Sequence, residues 1–157
     1  MKVSTEPDVE IEGVRLGLHR LQRLLSSRRS WSTLADAAGS DLPQQVLQVL
    51  QILRDGEARS MADLARLARM DAAAVSRQVR VLEDRGLVAR RQSPHHGRIV
   101  LIEPTSDGLT LARRLYDLNT NHLVDALSSW TSDEREALGS LLVRLVDDLQ
   151  RTPHRTA

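Results

Sequence analysis

The chain of 157 residues contains no cysteine. Disulfides, thiolate metal ligation and cysteine redox switching are therefore excluded. Phenylalanine is absent as well, with one tyrosine and two tryptophans, so a core must be built from Leu, Val and Ala. Leu and Ala favour helix, and a mainly helical domain is expected. No run approaches the roughly 18 consecutive apolar residues of a membrane span. The opening Met-Lys-Val-Ser-Thr-Glu-Pro-Asp lacks the apolar centre of a signal peptide. The expectation is one soluble, cytoplasmic domain with no membrane partner. Motifs of catalysis are missing too. There is no Gly-rich phosphate loop, no His-Glu metal motif, no Gly-x-Ser-x-Gly elbow and no close His/Asp/Glu spacing. Neither an enzyme, a cofactor nor a metal site is expected.

What the chain has is an uneven distribution of charge. The net charge is +1, yet residues 75–104 hold six arginines against three carboxylates. Immediately before and within that segment lies Asp71-Ala-Ala-Ala-Val-Ser-Arg-Gln-Val-Arg-Val-Leu-Glu-Asp-Arg-Gly86. Asp71 is suited to cap a helix, because its carboxylate accepts an orphan backbone N–H. Gly86 is suited to end it, because a left-handed backbone costs glycine little. Val75, Val79 and Leu82 fall on one stripe, leaving Ser76, Arg77, Gln78 and Arg80 on other faces. Taken alone, this is as readily an amphipathic helix with a solvated arginine face. Its neighbours change the reading.

Ser60-Met-Ala-Asp63 starts a helix capped by Ser60 and lined by Leu64, Ala65 and Ala68. Small residues allow close helix approach. Arg69-Met70 is a tight connection, so residues 60–85 read as a helix-turn-helix. After Gly86 the period shifts to alternation over Leu87–Gln92. Ser93-Pro94-His95-His96-Gly97 is a turn, and Arg98–Ile102 is a return strand. A two-stranded β wing thus follows the second helix.

Outside this unit, Ile11, Val14, Leu18, Leu21 and Leu25 step by 3 and 4, a heptad-like seam. Such a seam packs on its own core or meets a partner helix. Residues 26–41, rich in Ser, Arg and Asp, read as a loop with one short helical turn anchored by Trp31 and Leu34. Asp41 is expected to cap a helix with Pro43 in its first turn and Val46, Val49, Leu50 and Leu53 buried. Thr105 caps a long helix lined by Leu111, Leu115 and Leu118. Thr131-Ser-Asp-Glu134 is a capping box opening the last helix.

The order of elements and the local sequences resemble the MarR family of winged helix-turn-helix regulators. The matching stretches are Leu42-Pro43 to Leu53, Met61–Ala65, Asp71 to Val75-Ser76-Arg77, Leu82-Glu83-Asp84-Arg85-Gly86-Leu87-Val88, Arg98, and Thr105-Ser-Asp-Gly108. The resemblance spans about residues 10–150. It implies a mainly α fold with a two-stranded wing and terminal dimerisation helices, about 9–28 and 105–150, around a DNA-binding lobe of about 42–104. It implies a homodimer that places two winged helices on a pseudo-palindromic operator of double-stranded DNA, acting as a repressor. Ser60, Ala73, Ala74, Ser76, Arg77, Gln78, Arg80, His96 and Arg98 are the corresponding DNA-binding candidates, Arg98 entering the minor groove from the wing. Arg90 and Arg91 read as phosphate contacts or solvated side chains. The family also implies a small aromatic or anionic effector, for which His19, Trp31, Tyr116 and His122 are the candidates.

Two departures qualify the match. The family's wing reads Asp-x-Arg, whereas here His96-Gly97-Arg98 places a histidine where the carboxylate steadies the arginine. The helix start is Ala72-Ala73-Ala74, which can touch thymine methyls but cannot hydrogen-bond a base edge. The alanine triplet and the low net charge motivate an alternative, a winged-helix protein-interaction module without operator binding.

Overall fold

The computed structural model describes residues 9–94 and 99–153. Among these, the elements run α1 (Val9–Leu25), α2 (Arg28–Ala37), α3 (Gln44–Ile52), β1 (Arg59–Ser60), α4 (Met61–Ala68), α5 (Ala72–Asp84), β2 (Val88–Gln92), β3 (Val100–Pro104), α6 (Ser106–Ala126) and α7 (Ser132–Arg151). The mainly helical class with a winged sheet is as expected. No helix among the described residues is long and apolar enough to cross a membrane. The residues fall into two compact units that divide after Leu118.

The first unit holds the core. Leu47, Leu50, Leu53, Leu64, Val75, Val79, Leu82, Ile102 and Leu115 are completely enclosed. They come from α3 and its C-cap, α4, α5, β3 and α6; the helical spacing marked Leu50, Leu53, Leu64, Val75, Val79, Leu82 and Leu115, and not Leu47. Each buried Leu or Val of this kind contributes about 1.5–3 kcal/mol relative to exposure. Polar ties brace the same helices: Gln51 Nε2 donates to the Ala112 carbonyl at 3.2 Å, and Gln48 Nε2 to the Ala68 carbonyl at 3.4 Å.

Three local expectations are corrected. Residues 28–37 are a full helix, α2, rather than a loop with one turn. Trp31, Leu34, Ala35 and Ala38 repeat at helical spacing, and Ala35 and Ala38 are buried against the core. Composition obscured that period. Secondly, Pro43 rather than Asp41 occupies the N-cap of α3; Asp41 is engaged elsewhere, as described below. Thirdly, the sheet has three strands in the order β1-β3-β2, all antiparallel. Arg59 pairs with Ile102 and Ser60 with Leu101, so a two-residue strand extends the hairpin. Two residues carry no alternation for a sequence reading to find.

The wing is tied to the end of α5. Thr105 N–H donates to the Leu87 carbonyl at 3.0 Å, and the Thr105 hydroxyl donates to the Gly86 carbonyl at 2.7 Å. The same hydroxyl accepts from Gly108 N–H at 3.1 Å, capping α6. Gly108 lies so close to the Leu87 backbone that a Cβ there would stand 2.0 Å from its carbonyl oxygen.

In the second unit, α7 opens with the expected capping box. Glu134 N–H donates to the Thr131 hydroxyl at 3.2 Å, and Thr131 N–H donates to the Glu134 carboxylate at 2.8 Å. The Thr131 N–H and, after it, the Thr131 hydroxyl, which donates to the same carboxylate at 3.0 Å, hold the Glu134 carboxyl below its usual pKa.

Candidate nucleic-acid interface

The helix-turn-helix is assembled by caps at each junction. The Ser60 hydroxyl accepts from Asp63 N–H at 3.1 Å, and the Asp71 carboxylate accepts from Ala74 N–H at 2.7 Å. Each replaces a lost helical acceptor and aligns the next helix. Val75, Val79 and Leu82 then anchor α5 in the core. The opposite face carries Ala72, Ala73, Ser76, Arg77 and Arg80, all exposed, with Ala74 half-buried beside them.

Gln78 differs from the other candidates. It is half-buried, and its Nε2 donates to Gln45 Oε1 of α3 at 3.3 Å. About two helical turns further, both terminal guanidinium nitrogens of Arg85 donate to the Asp41 carboxylate at 2.8 Å. Gln78 and Arg85 therefore fasten one side of α5 to residues 41–45. The guanidinium beside Asp41 lowers the Asp41 pKa, its ionic hydrogen bond being the main cause. The sequence marked Asp41 only as a helix cap and did not mark Gln45, because the partners of both lie more than 30 residues away.

Ion pairing decides which arginines are available. Arg90 is held by Glu83 at 2.6 Å and Arg91 by Glu103 at 2.7 Å. Arg66 pairs with Asp63 at 3.2 Å. Arg77 and Arg80 have no ion-pair partner among the described residues. Of the six arginines in residues 75–104, Arg85, Arg90 and Arg91 are neutralised, Arg77 and Arg80 stand on the exposed face of α5 with no ion pair among the described residues, and Arg98 lies outside those residues. Ser60 is also engaged. Its hydroxyl donates to the Asp63 carboxylate at 2.7 Å, which places a negative charge at the start of α4. That bond is the first cause of the lowered Asp63 pKa, with Arg66 second. His96 and Arg98 lie outside the described residues.

The effector candidates are not gathered into one cavity. Trp31 lines a groove of about 440 Å³ together with Arg28, Asp36, Asp41 and Gln45. Its indole N–H donates to the Leu25 carbonyl at 3.2 Å, which sets the ring's orientation. His19 and Tyr116 do not line that groove. Tyr116 is 45% exposed, and the Arg54 guanidinium lies over its ring at 4.0 Å. This is a cation–π contact within the fold. His122 is in the second unit.

A capped helix pair, an exposed arginine face and an adjoining β wing define a winged helix-turn-helix protein. The sequence model of the MarR family matches residues 40–99. The uncharacterized HTH-type transcriptional regulator YxaD of Bacillus subtilis is 30% identical over 99 residues, 63% of this chain and 68% of that protein. YdgJ of the same organism, described in the same words, is 28% identical over 112 residues, 71% and 68% of the two chains. The crystal structure of the PcaV transcriptional regulator from Streptomyces coelicolor, in complex with its natural ligand, shares the fold. Its TM-score is 0.59 at 22% identity, over 94% of this chain and 96% of that one. The chain belongs to the MarR family of transcriptional regulators.

Proposed function

We propose that this regulator is a dimeric repressor that reads a pseudo-palindromic operator through α5. The observation that carries the reading is the pair Arg77 and Arg80, exposed on the face of α5 opposite its buried stripe and unpaired among the described residues. Free guanidinium groups suit guanine edges and phosphates; paired ones must first give up a carboxylate. Ser76 stands on the same face as a second polar reader, and the Ala73 and Ala74 methyls suit contact with thymine. Gln78 acts from the side, held by Gln45. Ser60, bonded to Asp63, is left out of the contact set.

The dimer reading rests on exposed apolar surface. On α1, Ile11 is 63% exposed, and Val14, Leu21 and Leu25 are exposed with it. On α7, Leu141, Leu142 and Leu149 are exposed. We assign these helices, with α6, to dimerisation, and residues 42–104 to the DNA-binding lobe. A two-fold axis then sets two α5 helices about one DNA turn apart. Effector control is the further part of the proposal. The Trp31 groove supports it, and PcaV, described in complex with a natural ligand, supplies the precedent in the same fold.

Selection of bound duplexes from a random pool tests the reading. A symmetric site with half-sites about one helical turn apart is expected. Arg77→Ala should then weaken binding by about 1–3 kcal/mol and relax preference at one position of each half-site. An unenriched pool at both low and moderate salt would overturn operator binding.

A further inference from the structure

Three helices of this chain end on the same device. After α2, Ser40 N–H donates to the Ala35 carbonyl at 2.9 Å and Gly39 N–H to the Asp36 carbonyl at 3.0 Å. After α5, Leu87 N–H donates to the Leu82 carbonyl at 2.9 Å and Gly86 N–H to the Glu83 carbonyl at 2.9 Å. After α4, Met70 N–H donates to the Ala65 carbonyl at 3.0 Å and Arg69 N–H to the Arg66 carbonyl at 3.3 Å. Each pattern needs one residue in the left-handed region. Gly39 and Gly86 supply it at φ +73° and +66°. In the turn of the helix-turn-helix, Arg69 supplies it at φ +53° and ψ +42°. Among the described residues, Arg69 is the one non-glycine residue at positive φ.

The left-handed conformation costs an L-residue with a Cβ more than it costs glycine, and arginine has no short polar side chain to offset it locally. The turn's two backbone hydrogen bonds form equally well with glycine there, and among the described residues the Arg69 side chain makes no contact that repays the strain. Arg69 is exposed, and its guanidinium has no hydrogen bond or ion pair among the described residues. Its neighbours behave otherwise: Arg66 pairs with Asp63, and Arg85, beside the glycine that ends α5, pairs with Asp41. Arg69 also stands two residues ahead of Asp71, which caps the N-terminal end of α5.

We infer that Arg69 contacts a DNA phosphate beside the groove that α5 enters, and that this contact offsets the strain of the turn. The inference rests on the DNA-binding reading and extends its contact set beyond α5. A phosphate contact adds affinity and salt dependence without adding base preference.

The test compares full-length wild type, Arg69→Gly and Arg69→Lys on the selected operator. Arg69→Gly relieves the backbone, so its melting temperature should equal or exceed that of the wild type. Its affinity near 0.15 M salt should nevertheless fall about tenfold. The slope of log K against log salt should become shallower by about 1.8 for two contacts per dimer. Arg69→Lys should retain most of the affinity and the wild-type slope, and the preferred site should be the same for all three proteins. Wild-type affinity and slope in Arg69→Gly would overturn the inference and leave operator binding standing. A lowered melting temperature with equal losses in both variants would make Arg69 structural and overturn it too. Failure of the wild type to bind any duplex would remove the DNA-binding reading and this contact together.

Discussion

Leu50 of α3 and Leu141 of α7 belong to apolar stripes of the same helical period, yet Leu50 is 0% exposed and Leu141 is 61% exposed. The lobe around α3–α5 encloses its stripes with its own elements, whereas the apolar faces of α1 and α7 stay open to solvent. Periodicity therefore identifies a face that seeks burial, and burial within the chain identifies which faces already have it. The difference separates residues that hold the lobe together from residues whose apolar side chains the chain itself leaves uncovered.

The largest expected effect breaks this comparison directly. Leu50→Ala should destabilise the lobe by about 2–5 kcal/mol at every protein concentration, through lost burial and a residual cavity. Leu141→Ala should leave the lobe's own stability intact and instead shift the dimer equilibrium, seen by ultracentrifugation as dissociation at higher concentration than for the wild type. If both variants lost stability alike at all concentrations, the two regions would not differ in kind. Gly108→Ala comes next. Its new Cβ would collide with the Leu87 carbonyl, so about 1–3 kcal/mol should be lost in chemical denaturation, together with the clasp between α6 and the end of α5.

Caps sharpen the contrast at a smaller scale. Asp71→Ala and Thr131→Ala should each cost about 1 kcal/mol, since each removes an acceptor at a helix start. Only Asp71→Ala should also weaken operator binding, because it frays the helix that carries Arg77. Titration against a labelled operator separates the two. The smallest effect is that of the Asp41–Arg85 pair. The folded Asp41 pKa is lowered, so its contribution is present above the ordinary carboxylate range and is lost as pH falls through the lowered value. Asp41→Asn should therefore be slightly less stable than the wild type near neutrality, and the two should converge in acid unfolding below about pH 4. The pair is solvent-exposed, and added salt should shrink the neutral-pH difference as well.

Much of the lobe was legible because its signals are local. Ser60, Asp71 and Thr131 cap within three residues of themselves, and Gly86 ends α5 through bonds to the turn before it. The stripes of α3 and α5 repeat at the helical period. α2 also had its period, in Trp31, Leu34, Ala35 and Ala38, but a surrounding run of Ser, Arg and Asp masked it. The exposed arginines of α5 could be named from the sequence, and their availability could not. Arg77 and Arg90 look alike in a charge count. Only folding brings Glu83 to Arg90 and Glu103 to Arg91 and leaves Arg77 without an ion pair among the described residues.

By itself the sequence determined the helix-turn-helix, the caps Ser60, Asp71 and Thr131, the buried stripe of α5 and the resemblance to MarR regulators, since these depend on contacts a few residues apart. Tertiary structure decided the rest. It made Ser60 a strand residue through β3, turned Asp41 from a cap into the partner of Arg85, and drew Gln78 onto Gln45. It also put Arg69 in the left-handed turn with no side-chain partner among the described residues. Those outcomes join residues distant in the chain or depend on what is absent nearby, and no local pattern encodes either.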